Sequence, residues 1–353
     1  MQRMRDRGTP LATYLKAVPL YGLKTGFNEA FLVEGETRDR LVKADPRSQE
    51  LFKKYLRGQD IQRWTSEWGG LWMLAMKSSG DHRWPWAGQD ERKAEATFRN
   101  ALPALYEHFK QYEEKLRARA DQWQYWWELR SCAYYAKCER PKVMYQEIQF
   151  HPQYALDTEG TLSNNKCFLL PSGDPWLLAV LNSPLLWWFN WRYLGHMKDE
   201  ALNPGGVKME AVPIAEPTSA ARKQAGEWVP QLIELTRASQ AATAALLDSL
   251  RLQYGVEKAG QKLADFAELG TDDFLKEVLA RRPKGGSALR PAQVAELRSV
   301  HAEEAEAMRR RRVEMLGLER RLATLVMEAY KLTAADVRLM WETAPPRMPL
   351  EQF

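Results

Sequence analysis

The 353-residue sequence has few cysteines and no long hydrophobic run. Cys132, Cys138 and Cys167 are an odd number without CxxC spacing, which argues against a disulfide framework and against a zinc site. The longest apolar runs, residues 176–181 and 185–189, are far shorter than the roughly 20 residues of a membrane-spanning helix. No apolar signal core follows the charged N-terminus. These absences predict a soluble protein of a reducing cytoplasm, without a membrane partner.

Sequence signatures of common catalytic centres are also missing. The sequence has no GxxxxGK[ST] phosphate loop and no GxGxxG turn for a dinucleotide or a methyl donor. GxSxG, HExxH and EF-hand patterns are absent as well. Pro345-Pro346 lacks the flanking residues with which amino-methylating enzymes hold an exocyclic amine. We therefore expect no catalytic, cofactor-binding or metal-binding residues in this chain.

One near-match to a catalytic motif remains. Asp81, followed by Glu91-Arg92-Lys93, has the residue order of Mg²⁺-dependent nucleases, in which two carboxylates hold the metal and a lysine orients water. The other interpretation is that Glu91 and Lys93 begin a solvated helix, and short matches in charged segments are common. An Mg²⁺-dependent nuclease is therefore a minor alternative.

Charge and tryptophan are abundant and unevenly distributed. The net charge is +5, and the first 150 residues carry 26 Lys and Arg against 20 Asp and Glu, which permits a polyanionic partner. Twelve of the fourteen tryptophans lie between Trp64 and Trp191. A stretch with Pro, Ser and Ala at residues 213–221 marks the change and is typical of a connector. We predict two domains, residues 1–215 and residues 216–353.

Hydrophobic periodicity predicts an α+β fold for the first domain. Helices are expected between residues 91 and 122, with a break at Pro103, and from residue 175 to about 193. Short apolar and β-branched runs bounded by turn residues predict strands at residues 31–33, 72–76, 142–148 and 167–170. The first domain is thus predicted to be a mixed β-sheet domain with inserted helices.

The second domain is predicted to be all-α. A heptad seam between residues 291 and 330 needs a partner helix, for which residues 222–254 are the candidate, and the two would form an antiparallel pair. If the chain is instead a protein-interaction scaffold that acts through this helical tail, an exposed apolar stripe should lie along residues 308–325. That scaffold is the main alternative function.

The tryptophan clusters allow two interpretations. Exposed tryptophans on a binding surface can stack bases of single-stranded nucleic acid, whereas tryptophans at helical spacing usually fill a core. The helical patterns around both clusters favour the core. These clusters are Trp123, Trp126 and Trp127, and Trp187, Trp188 and Trp191.

Polar turns are better candidates for recognition. Arg recognises guanine, and Asn or Gln recognises adenine, through paired hydrogen bonds in the major groove of duplex DNA. The same residues also occur in ordinary turns, so this pattern alone does not establish base contacts. The turns lie at residues 24–28, 57–63 and 164–166, with a further cation at residue 142. Our candidates for DNA contacts are Lys24, Thr25, Asn28, Arg57, Arg63, Lys142, Asn164, Asn165 and Lys166.

The same turns carry a family resemblance. Four landmarks in order, over about residues 10 to 215, resemble the TaqI-like C-terminal specificity domain, the target-recognition part of DNA adenine-N6 methyltransferases and type IIG restriction-modification enzymes. Residues 216–353 resemble the helical tail of the larger members. The landmarks are Gly22-Leu23-Lys24-Thr25-Gly26-Phe27-Asn28-Glu29-Ala30-Phe31, Leu56-Arg57-Gly58-Gln59-Asp60-Ile61, Pro141-Lys142-Val143 and Leu181-Asn182-Ser183-Pro184.

The resemblance implies recognition without chemistry. In that family a methyltransferase domain, which uses S-adenosylmethionine, precedes the recognition domain. We expect it to be supplied in cis by a longer chain or in trans by another subunit. A methyltransferase that rotates adenine out of the duplex needs a second surface to hold the surrounding DNA. The resemblance thus implies a sequence-specific double-stranded DNA recognition module of a restriction-modification or related phage-defence system, without catalytic residues of its own.

Overall fold

The computed structural model describes residues 1–283, 285 and 287–352. Contacts within the chain group it into two compact units, residues 1–218 with 326–352, and residues 219–325. The predicted α+β class is confirmed, because the sheets lie in the first unit and the second is helical. The domain boundary between residues 215 and 216 stays a prediction, and the first unit extends to Thr218.

The strands of the first unit are short. Residues 167–170 form a strand with the predicted bounds, and the other predicted strands differ by one or two residues at one end. In chain order, the strands are β1 (Gly8–Pro10), β2 (Leu20–Tyr21), β3 (Leu32–Val33), β4 (Phe52–Leu56), β5 (Trp72–Leu74), β6 (Lys142–Gln146), β7 (Tyr154–Asp157), β8 (Leu162–Ser163), β9 (Cys167–Leu170), β10 (Gly195–His196), β11 (Leu202–Asn203) and β12 (Pro213–Ala215).

Two four-stranded sheets position the loops of interest. One sheet has the antiparallel order β2-β9-β6-β7. The other has the order β3-β5-β4-β8, in which β4 and β8 are parallel. Strands β1 and β12 form a separate antiparallel pair, as do β10 and β11. The loop after β2, the end of β4 and the β8–β9 turn therefore come from both larger sheets.

Prolines divide the predicted helices of the first unit. Pro103 separates two helices where the break was predicted. The helix predicted from 175 to 193 is two helices, because Pro184 lacks an amide hydrogen and the Ser183 side chain caps the new start. The helices are α1 (Gln2–Arg7), α2 (Leu11–Leu15), α3 (Asn28–Phe31), α4 (Gly35–Ala44), α5 (Glu91–Ala101), α6 (Pro103–Lys110), α7 (Glu113–Arg117), α8 (Tyr135–Cys138), α9 (Pro175–Leu181), α10 (Pro184–Tyr193) and α11 (Gly206–Glu210).

Tryptophans fill the core of the first unit. Trp126 and Trp127 are buried, and Trp127 stacks on Phe98 at 5.0 Å between ring centroids. Trp187 and Trp188 are buried as well. The core interpretation is therefore confirmed for these four residues. Trp123 and Trp191 are the exceptions, since 46% of Trp123 is exposed and Trp191 is only partly buried.

Two long helices pair within the second unit, whose helices are α12 (Ser219–Tyr254), α13 (Gly260–Ala264), α14 (Thr271–Arg281) and, up to residue 325, α15 (Pro291–Ala329). Arg321 lies 5.2 Å from the Trp228 ring, and the Tyr254 hydroxyl is 3.3 Å from the Glu296 carboxylate. These contacts at opposite ends confirm the antiparallel pairing. A last helix, α16 (Ala334–Glu342), belongs to the first unit.

The heptad seam of α15 is covered. Met308, Leu318 and Leu322 are buried, while Val313 and Leu316 are exposed. The continuous apolar stripe that the scaffold alternative requires is therefore not present on the described part of this helix. No helix in the described ranges combines the length and apolar character needed to cross a lipid bilayer.

Candidate nucleic-acid interface

A polar cavity of about 640 Å³ lies beside the loop after β2. Most of its lining comes from three segments that are far apart in sequence, residues 23–29, the end of β4 and the β8–β9 turn, and Leu32 and Asp121 complete it. The cavity therefore brings together six of the nine residues predicted to contact DNA. These are Lys24, Thr25, Asn28, Arg57, Asn164 and Asn165.

A second cavity, of about 540 Å³, shares a wall with the first. Lys24 and Asn165 line both cavities. The second cavity adds Lys166, which is the seventh predicted residue, and the rings of Tyr21 and Tyr134. Burial raises the pKa of Tyr134 to about 12, so its phenol stays protonated near neutral pH. The two cavities form one concave, polar and partly aromatic surface.

Main-chain hydrogen bonds join the loop after β2 to the β8–β9 turn. The Leu23 amide donates to the Ser163 carbonyl at 2.7 Å, and the Gly22 amide donates to the Cys167 carbonyl at 3.0 Å. The approach is so close that a Cβ atom on Gly22 would lie 2.0 Å from the Asn164 carbonyl oxygen. Residue 22 must therefore be glycine for the backbones to meet.

Gly22→Ala should lower the unfolding free energy by about 1–3 kcal/mol, since the added methyl group forces the two backbones apart. Urea denaturation of the full chain measures the change. Gly35→Ala is the matched control, because no atom of the residues that the structure describes lies within 4 Å of a Cβ atom placed there. Equal stability of the two variants would contradict the close packing at Gly22.

A buried arginine supports the loop that carries Lys24. The Arg119 guanidinium donates to the Thr25 carbonyl at 2.6 Å and to the Trp126 and Glu128 carbonyls at 2.8 and 2.7 Å. Burial lowers the pKa of Arg119 to about 10. Nothing in the local sequence distinguished this arginine from its exposed neighbours, so the sequence prediction missed it. Arg119 does not line the cavity itself but orders the loop that carries Lys24.

The amide side chains of the cavity differ in which of their hydrogen-bonding groups are still free to contact a ligand. The Asn28 oxygen accepts from the buried Thr25 hydroxyl at 2.6 Å, and the Asn164 oxygen accepts from the Lys166 amide at 3.1 Å. Asn165 makes no side-chain hydrogen bond with any residue that the structure describes. It therefore keeps both the donor and the acceptor that two-point recognition of adenine requires.

Most cations around the cavities are paired with carboxylates. Arg57 pairs with Asp60 at 3.3 Å, Lys166 with Glu147 at 2.9 Å, and Arg130 with Asp121 at 3.1 Å. Lys24 is exposed and has no ion-pair partner among residues 1–283, 285 and 287–352. Among these cations, Lys24 is the one whose full charge faces solvent.

Lys142 does not belong to this surface, and the prediction that it contacts DNA is wrong. Its side chain is 0% exposed and forms an ion pair with Asp157 across β6 and β7. The Asp157 carboxylate also accepts from the Thr161 amide and hydroxyl, at 3.0 and 2.8 Å. A lysine fixed in this way supports the sheet and cannot reach a phosphate.

Arg63 also lies apart from the two cavities. Its guanidinium donates to the Asn182 carbonyl at 2.8 Å and lies 5.2 Å from the Trp64 ring. Asn182 is itself buried and exchanges hydrogen bonds with the main chain of Tyr154 at 2.9 and 3.2 Å. The Leu181–Pro184 landmark therefore supports β7, and a DNA contact by Arg63 stays a prediction.

The geometry does not favour the nuclease alternative. The Asp81 carboxylate accepts hydrogen bonds from the Ser78 and Ser131 hydroxyls at 2.7 and 3.0 Å, and from the Cys132 amide at 2.7 Å. Glu91 begins α5 and forms an ion pair with Arg117. In the part of the chain that the structure describes, no three His, Cys, Asp or Glu side chains are grouped to hold a metal.

Comparison with known families identifies two segments. Residues 53–214 match the TaqI-like C-terminal specificity domain, which confirms the resemblance over that range. Residues 218–326 match a domain of unknown function (DUF8810). No match was found among curated proteins.

A solved structure of the Type IIL restriction-modification enzyme MmeI in complex with DNA is also similar. The sequences are 15% identical and the TM-score is 0.40. The match covers 89% of this chain and 35% of that chain, so this chain corresponds to about a third of that enzyme's length.

Proposed function

We propose that this chain is the sequence-specific, double-stranded DNA recognition module of a restriction-modification or related phage-defence system. It acts in the cytoplasm beside an adenine-N6 methyltransferase domain, supplied in cis or in trans, that binds S-adenosylmethionine. The chain itself contributes binding and orientation of the DNA and no catalytic residue. The match of residues 53–214 to a specificity domain supports this assignment.

The observation that carries the proposal is the shared surface of the two cavities. It collects an unpaired cation, an oriented arginine and several amides from loops that are distant in sequence. Phosphate contacts position a protein on the duplex, and amide and guanidinium groups distinguish base edges. A recognition surface needs both kinds of group within reach of one another, and the structure holds them there by main-chain hydrogen bonds.

Lys24→Ala should weaken binding to all duplex sequences alike and reduce the slope of log affinity against log salt by about one, because one phosphate contact is lost. Fluorescence anisotropy of a labelled duplex, titrated at several salt concentrations with the full chain, measures both quantities. Lys43→Ala is the control, since Lys43 is exposed on α4 and lines neither cavity.

Absence of duplex binding by the full chain would overturn the proposed function. An unchanged salt slope for Lys24→Ala, with intact binding, would place the phosphate contacts elsewhere on the protein. The minor nuclease alternative predicts instead that the purified chain cleaves DNA when Mg²⁺ is added.

A further inference from the structure

We infer that Arg57 recognises a guanine base and that the buried Asp60 holds its guanidinium in place for this contact. Lys24, in contrast, supplies charge to the phosphate backbone. The inference rests on the proposed function and assigns separate tasks to two cations of the same cavity.

The first step is the geometry of the Arg57–Asp60 pair. One Asp60 carboxylate oxygen accepts from the Arg57 main-chain amide at 2.7 Å and from Nε at 3.3 Å. The other oxygen accepts from Nη2 at 3.4 Å. The Asp60 side chain is 8% exposed, and that of Arg57 is 48% exposed. A fixed carboxylate therefore orients one edge of an accessible guanidinium.

The second step concerns the donors that remain. A guanidinium carries five N–H groups in one plane, and the Asp60 carboxylate engages those of Nε and Nη2. Nη1 has no acceptor among the residues that the structure describes. One N–H group of Nη1 and the outer N–H of Nη2 form a second planar fork, which matches the O6 and N7 acceptors of guanine.

The third step is electrostatic. Because Asp60 neutralises most of the Arg57 charge, the pair attracts phosphate weakly, while the hydrogen-bonding geometry of the outer fork is unaffected. Lys24 has no such partner, and its ammonium is a compact charge without a fixed donor fork. One cavity thus contains the fixed donor fork of Arg57 and the ammonium group of Lys24. Specific binding to a duplex needs both a group that distinguishes bases and a charge that contacts phosphate.

A second pair in the same unit shows that the carboxylate alone does not define the site. Arg47 is held by Asp45 through contacts of 2.8 and 3.1 Å, with exposures of 62% and 3%. Neither of these residues lines the two cavities. Arg47 is therefore a matched control, with the same chemistry outside the proposed recognition surface.

The experiment is a selection from a pool of duplexes with a randomised segment, performed with the full chain and its variants, followed by anisotropy measurements on the enriched duplex. Arg57→Ala should lose discrimination at a G·C position by roughly 10- to 100-fold, with the salt slope unchanged within error. Arg57→Lys should not restore discrimination, because lysine lacks the planar fork. Arg47→Ala should select the same sequence as the unmodified protein.

Asp60→Asn tests the positioning role. Without the carboxylate, Arg57 is mobile and fully charged. We expect weaker discrimination at the same G·C position, together with a salt slope about one unit steeper. A residue that serves only to maintain the fold would lower affinity without steepening the slope. Circular dichroism and thermal melting confirm that each variant is folded.

Two results would overturn the inference while the proposed function stands. One is that Arg57→Ala weakens binding to every sequence equally and reduces the salt slope by about one, as expected for a phosphate contact. The other is that Asp60→Asn leaves discrimination unchanged. Failure of the unmodified chain to bind duplex DNA at all would overturn the proposed function and this inference together.

Discussion

Asp157→Ala should lower the unfolding free energy by about 3–5 kcal/mol, the cost of leaving a buried ammonium without its carboxylate. Lys142 has no exposed surface, and Asp157 faces it directly across β6 and β7. The substitution also leaves the Thr161 amide and hydroxyl without their acceptor. Urea denaturation followed by tryptophan fluorescence measures the loss.

Two further variants show whether the buried charge is the cause. Glu159→Ala removes an exposed ion pair, in which the Glu159 side chain is 51% exposed and that of Lys54 is 37% exposed. It should lower the unfolding free energy by no more than about 1 kcal/mol. Lys142→Met combined with Asp157→Leu removes both charges and should recover a large part of the stability. Equal losses for Asp157→Ala and Glu159→Ala would show that burial of the pair is not decisive.

Arg119→Ala should cost roughly 3–5 kcal/mol and should also weaken duplex binding, because it leaves buried carbonyls without a donor and releases the loop that carries Lys24. The guanidinium contacts four carbonyls, those of Leu116, Thr25, Trp126 and Glu128. Arg119→Lys should recover little of this, since one ammonium cannot reach all four. Chemical denaturation and DNA anisotropy measure the two effects.

The neighbouring Arg117 gives a matched control. Its side chain is 41% exposed and pairs with Glu91 and Glu113 on the surface, so Arg117→Ala should cost about 1 kcal/mol or less. If Arg117→Ala and Arg119→Ala were equally stable, the hydrogen bonds from Arg119 to the carbonyls would not contribute to the unfolding free energy. If Arg119→Ala lost stability but bound DNA normally, the loop would not depend on that arginine.

Much of the local structure was predictable from the sequence. Strand β9 has the predicted bounds, and the break at Pro103 is where proline chemistry places it. The pairing of α12 with α15 followed from an apolar seam that required a partner. Each of these features depends on residues close in sequence, on a periodic pattern or on the stereochemistry of a single residue.

The set of residues that line the two cavities was predictable only in part. Residue type and turn chemistry selected Lys24, Arg57 and Asn165, which the structure places around one cavity, and their contact with DNA stays a prediction. The same criteria selected Lys142, whose buried partner Asp157 is fifteen residues away. They gave no reason to select Arg119, because its function depends on carbonyl groups that only the fold brings together. Long-range pairing, and not residue type, decides which cations are accessible.

The close approach at Gly22 has a consequence for how specificity can change. The loop that carries Lys24 and the turn that carries Asn165 are joined through their main chains, independently of the side chains that line the cavities. Exchange of Asn165, whose side chain makes no hydrogen bond with the described residues, therefore leaves this junction intact. Under the proposed function, point substitution on this backbone changes the DNA target without insertions or rearrangement of the domain.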